Sequence, residues 1–133
     1  MGNRANFGFT QSNGQTIVLY GHWAGDGMLE KLANAVDRAR PRWTDESYAT
    51  RIAISQLVGD DWNQELGWGL QVNSLSDNEH KIPVVNFSTQ TFSLHEEDSF
   101  SNTDNPIRGV KSTPIFTMDL DTFVAKYSQP VMV

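Results

Sequence analysis

Phe7 and Phe9 alternate with small or polar neighbours across Asn3–Thr10, and the next apolar stretch, Thr16–Tyr20, is short and β-branched. Alternation with period two predicts a strand, and an unbroken apolar run predicts a strand buried on both faces. Between them, Gln11–Gln15 carries Asn13-Gly14, a hairpin-turn signal. The two strands therefore pair antiparallel, with residues 3–6 beside Tyr20–Trp23. Beyond the glycine-rich corner the period changes. Leu29, Leu32, Ala33 and Val36 recur at helical spacing. Asp26 is the expected N-cap of this helix, and Pro41 is expected to stop it. A second helix follows Trp43, with Thr44 as expected N-cap and Asp45 and Glu46 in its first turn. It runs to Val58, ends at Gly59 and presents Tyr48, Ile52, Ile54, Leu57 and Val58 as an apolar surface.

The second half is richer in strands. After the polar loop Gly59–Glu65, the segment Leu66–Val72 has apolar residues at even positions and glycines at Gly67 and Gly69, a strand with a bend or a close neighbour. Ser74–Lys81 reads as turns. Val84–Phe87 and Gln90–Leu94 form a hairpin or one strand bent near Ser88. Glu96–Arg108 is the longest polar stretch. Pro114–Met118 is the last strand, and Asp119 or Asp121 caps a short helix carrying Leu120, Phe123, Val124 and Tyr127 on one face. The tail after Gln129 frays or docks through Val131–Val133. The order, ββααβββ(β)βα, lacks regular βαβ alternation. It predicts one small α+β domain over residues 1–133, with a mostly antiparallel sheet and two to three helices packed on one face.

Composition narrows the functional classes. A chain of 133 residues can bury a core without staples. It has no cysteine, so disulfides, thiol catalysis and thiolate zinc are excluded. No apolar run approaches the roughly 20 residues of a membrane helix. The start, MGNRANF, lacks the apolar core of a signal peptide. The expected location is cytoplasmic, with no membrane partner. A formal net charge of −6 argues against binding a nucleic-acid polymer. Lys31, Arg38, Arg40, Arg42 and Arg51 nonetheless concentrate half of the basic residues in one segment, as solvated cations or as anchors for a small anion.

The candidate chemistry sits at the corner His22-Trp23-Ala24-Gly25-Asp26-Gly27. Glycines feeding a helix N-terminus suit an anion, because free N–H groups and the helix dipole point at it. Gly25 and Gly27 lack the longer spacing of dinucleotide or P-loop sites, and Asp26 would repel phosphate unless turned away, so the alternative is a turn that only caps the helix. The hairpin brings Arg4 and Asn6 to Tyr20, His22 and Trp23. Arg4 offers a planar donor fork and Trp23 a stacking face. The alternative leaves Trp23 in the core and Arg4 in solvent. Arg51 lines the pocket or reaches past it into water. The expected ligand contacts are thus Arg4, Asn6, Tyr20, His22, Trp23, Gly25, Gly27 and Arg51. No histidine pair has metal-helix spacing, and a set of His22, His95 and Glu97 could form only through tertiary folding. No Gly-x-Ser-x-Gly elbow occurs. No catalytic residue, metal or cofactor is assigned.

Gly2-Asn3-Arg4-Ala5-Asn6 and Leu19-Tyr20-Gly21-His22-Trp23-Ala24-Gly25 together resemble small uncharacterised proteins of bacteriophages and some bacterial genomes, which share a Gly-Asn-Arg-Ala-Asn-like start and a Tyr-x-His-Trp-x-Gly-like segment. The resemblance implies a phage-type protein acting in the host cytoplasm. Its expected function is to sequester a small anionic, nucleotide-like immune signal without cleaving it, as a sponge that counters host defence. Such sponges often assemble as homo-oligomers with pockets between subunits. The alternative is an acidic regulator or inhibitor that docks Glu96–Asp104 on a host protein. A third reading is a small nucleotide-processing enzyme using His22 and Asp26.

Overall fold

A computed structural model describes residues 2–97 and 107–128. The middle of the polar stretch after Glu97 and the tail Val131–Val133 lie outside the described residues. Six strands form one sheet: β1 (Ala5–Thr10), β2 (Thr16–Gly21), β3 (Trp68–Val72), β4 (Ile82–Asn86), β5 (Thr91–His95) and β6 (Phe116–Asp119). Three helices accompany them: α1 (Met28–Arg38), α2 (Glu46–Val58) and α3 (Leu120–Tyr127). The sheet order is β3-β2-β1-β4-β5-β6. Every neighbouring pair is antiparallel except β1–β4, which is parallel. The architecture is a single α+β domain with a mostly antiparallel sheet, as the hydrophobic pattern implied.

β1 and β2 form the expected antiparallel hairpin, in a register that sets Asn6 opposite Tyr20 and Ala5 opposite Gly21. Its turn closes through Gly14 N–H donating to Gln11 O, and Asn13 Oδ1 accepts from Gln15 N–H. β1 is buried along nearly its whole length because it lies at the centre of the sheet. Strand alternation divides its side chains. Ala5, Phe7 and Phe9 join Leu19, Val85, Phe87 and Phe92 in the main core with the helices. Val18, Ile82 and Val84 face the other way and meet Ile107, Val110 and Leu75 in a smaller cluster. The ambiguity at Ser88 resolves as a hairpin between β4 and β5.

Three helix termini differ from expectation. Gly27, with φ 65°, occupies the N-cap of α1 and no side chain caps it, so Asp26 is not the cap. The left-handed turn at Gly27 carries Asp26 out to solvent. Pro41 does not itself end α1. The helix closes at Arg38, and Pro41 opens a single 3-10 turn, Arg40–Arg42, where its missing N–H costs nothing. Asp45, not Thr44, caps α2 by accepting from Tyr48 N–H. On α2, Tyr48 is not part of the apolar surface. Ala49 and Ala53 are buried and Ile54 with them, so the helix turns Tyr48 outward beneath the Arg42 guanidinium. Asp119 caps α3 through Thr122 N–H at 2.7 Å.

Trp43 joins the helices. Its indole is buried, donates to Val36 O at 2.9 Å and lies under the Arg40 guanidinium. Arg40 also bonds Asp37 and Asp121, tying α1 to α3. The helices leave the β3 end of the sheet bare: Leu66, Leu70 and Val72 are 82%, 57% and 58% exposed. Among the described residues, no helix is long and apolar enough to cross a membrane.

Candidate functional site

The corner after β2 is tied from three sides. Asn3 N–H donates to His22 O at 2.8 Å, and Asn3 O accepts from Gly25 N–H at 2.9 Å. His22 N–H donates to Gly67 O at 2.8 Å, which fastens the corner to the entry of β3. Gly25 is buried so tightly that a Cβ there would collide with the His80 imidazole and the Asn3 amide, which bond each other. Gly2 likewise packs against the His22 ring. The segments Gly2–Asn6 and Leu19–Gly25, separate in sequence, are thus one laced unit.

Within it the expected contacts divide between the two faces of the sheet. Asn6 is fully buried on the smaller-core side. Its Nδ2 donates to Asp77 O at 3.0 Å and Asn78 Oδ1 at 3.1 Å, and its Oδ1 accepts from Ser76 N–H at 3.2 Å. Arg4 clamps the same loop. Its backbone N–H and Nε both donate to Glu79 Oε1 at 3.0 Å, and its Nη1 lies 3.5 Å from Asp77. These bonds hold the Glu79 carboxyl below the usual carboxylate range, the backbone bond from Arg4 first, and raise the Arg4 guanidinium. Arg51 is exposed on α2, and Gly27 is exposed at the helix N-terminus.

Tyr20, His22 and Trp23 do act together. The Tyr20 hydroxyl bonds His22 Nδ1 at 2.7 Å. The His22 ring meets Trp23 edge-on, with centroids 4.3 Å apart at 77°. Trp23 is 64% exposed yet braced, the opposite of a core tryptophan. It stands at a groove of about 1060 Å³ between the corner, α1, the C-terminal end of α2 and the segment 61–68. Lys31, Gln56, Leu57, Asp61, Gln64 and Trp68 share its lining. Trp68 Nε1 donates to Asp61 Oδ2 at 3.2 Å, which fixes both groups. The groove therefore combines indole surface, side-chain amides, one lysine and the acids Asp61 and Glu65. Such a lining suits a planar polar ring better than a multiply charged anion.

Trp23 stands at the corner after β2, and the groove beside it adds Lys31, Gln56, Asp61 and Gln64, which the sequence did not mark as neighbours of Trp23. The available signal was the run Asp61–Gln64 beside two tryptophans, whose amides converge with α1 only through tertiary packing. His95 spends both ring nitrogens, on Ser93 Oγ and Lys111 O. Among the described residues, no three His, Asp or Glu side chains gather to hold a metal ion. The chain matches no protein-family model, no curated protein and no solved structure.

Proposed function

We propose that this protein is a non-enzymatic binding protein that holds a small nucleotide-like ligand in the groove beside Trp23. The observation that carries this reading is a tryptophan, 64% exposed, braced edge-on by the Tyr20-bonded His22 ring beside a groove of mixed polar and apolar lining. An exposed indole stacks on any base, and bracing reduces the entropy lost on binding. Gln56 and Gln64 supply donors and acceptors for base edges, and Lys31 lies in reach of a single phosphate or carboxylate. In this reading Arg4 and Asn6 support the corner from behind and do not touch the ligand. The resemblance of Gly2–Asn6 and Leu19–Gly25 to phage proteins extends the proposal to a host's nucleotide-derived immune signal, captured without cleavage.

A titration of mono-, di- and cyclic nucleotides, read by intrinsic tryptophan fluorescence and calorimetry, tests this directly. Loss of one base–indole stack is worth about 1–3 kcal/mol, so Trp23→Ala should weaken binding about 5- to 150-fold. Trp62→Ala, on the far side of the segment, should leave affinity within about twofold, less than 0.5 kcal/mol. Nucleotide affinity indifferent to Trp23 would remove the site.

A further inference from the structure

The edge of the sheet formed by β3 carries a second proposal, independent of the groove's ligand. Asn73 N–H donates to Thr16 O, and His22 N–H donates to Gly67 O. These bonds bracket the β2–β3 ladder. Since bonded pairs alternate along antiparallel strands, the odd residues Gly69 and Gln71 address β2 through their backbones. Trp68, Leu70 and Val72 therefore direct their N–H and C=O groups outward. Among the described residues no strand lies along that edge.

The side chains on this edge are as unguarded as its backbone. Natural edges are usually blunted by charge or proline, and Trp68–Val72 contains neither. Leu70 and Val72 project on the helix-covered side, since their cross-strand partners are Leu19, in the main core, and Ile17, packed against it, yet among the described residues no helix covers them. A hollow of about 190 Å³ lies between Trp62, Trp68 and Leu70, with Asp61 and Gln64 at its polar side. Leu66, Leu70, Val72 and Trp62 together expose on the order of 450 Å² of apolar side chain. The lower end of specific interfaces is roughly 600 Å² per partner, so these four side chains alone amount to most of the smallest such surface.

We infer that β3 pairs antiparallel with β3 of a second copy of this chain about a two-fold axis at Leu70. The occupant follows from self-complementarity. With Leu70 opposite its own counterpart, Trp68 falls opposite Val72 of the second copy, and all three outward-facing residues become hydrogen-bonded pairs. Each copy carries a net charge of −6, yet this register sets no charged residue against another within the paired strands. The other edge is a poorer candidate: β6 has four residues and ends in Asp119, which caps α3. The dimer continues one sheet through both copies and merges the two apolar patches on one side.

Sedimentation and light scattering on the full chain test the assembly, and cysteine cross-linking tests its register. Wild type should have twice the 14.9 kDa mass of the chain at micromolar concentration. Leu70→Pro removes an outward N–H and spares the β2 ladder, so it should give a folded monomer. Leu70→Lys opposes two ammonium groups across the axis and should weaken dimerisation at least about tenfold, or 1.4 kcal/mol. The chain has no cysteine, so Leu70→Cys introduces a single thiol. The Cα separation of a hydrogen-bonded pair, about 5.5 Å, permits a disulfide. Leu70→Cys should cross-link under mild oxidation, and Gln71→Cys, which has no self-partner, should do so at least about tenfold more slowly. A monomeric wild type, a dimer that survives both Leu70→Pro and Leu70→Lys, or Gln71→Cys cross-linking as fast as Leu70→Cys would each overturn the inference.

Discussion

Replacing Asn6 with alanine asks whether this residue supports the fold or meets a ligand. The side chain is 0% exposed and makes three bonds of 3.0–3.2 Å to Asp77 O, Asn78 Oδ1 and Ser76 N–H. Each such bond contributes about 1 kcal/mol net, and a buried group left unpaired costs about 1–3 kcal/mol. Alanine would strand Ser76 N–H and Asp77 O beneath the loop, so the expected loss is about 3 kcal/mol, rising toward 5 if the loop cannot relax. For a chain of this size that lowers Tm by roughly 10 °C. Asn6→Asp is the sharper variant. It keeps the acceptor for Ser76 N–H but turns a carboxylate oxygen toward Asp77 O and Asn78, and should cost at least as much as alanine. Urea unfolding followed by circular dichroism gives both values, with a lower midpoint and an unchanged slope. A loss below about 1 kcal/mol for both variants would refute the assignment of Asn6 to the fold, since buried amide bonds of this number cannot be so weak.

Two further outcomes follow from the same corner. Glu79 has a folded pKa below its ordinary value of 4.5 because Arg4 donates to it, so the unfolded chain binds the extra proton first. Its contribution is complete above that value and lost as pH falls through the folded pKa. Glu79→Gln should therefore lower stability slightly near pH 7 and flatten the acid limb below about pH 4.5, where it converges on wild type; an unchanged acid limb in a melting series contradicts the Arg4 clamp. Gly25→Ala should destabilise by about 1–3 kcal/mol through overlap with His80 and Asn3. His80→Ala in the same chain should recover part of that loss, and a double variant as unstable as the sum would show that the two do not meet.

The sheet was legible where local signals agreed. Asn13-Gly14 marked the β1–β2 turn, and the alternation of Phe7 and Phe9 marked the core face. Helix ends were less so, because Asp26, Thr44 and Asp45 are all competent caps and tertiary packing chose among them. The candidate site was legible only in part. Adjacency along the hairpin brought Arg4, Asn6, His22 and Trp23 together in sequence terms. Strand alternation then sent Asn6 to the smaller core, while Trp23 opened on the opposite groove. The demand of the loop at Ser76–Glu79 for Asn6 and Arg4 is non-local and leaves no sequence signal. Nor does the exposure of Leu70 and Val72, since alternation alone does not say whether a helix covers the apolar side.

The most direct measurement is native mass spectrometry of the wild type and of Trp23→Ala, each purified gently from a strain that makes nucleotide-derived defence signals, followed by analysis of the released small molecules. A stoichiometric, ultraviolet-absorbing ligand should be recovered intact from wild type and be depleted in a folded Trp23→Ala, in line with binding weakened about 5- to 150-fold. An equal yield of ligand from both, or a wild type that carries a host polypeptide in place of a small molecule, would contradict this reading.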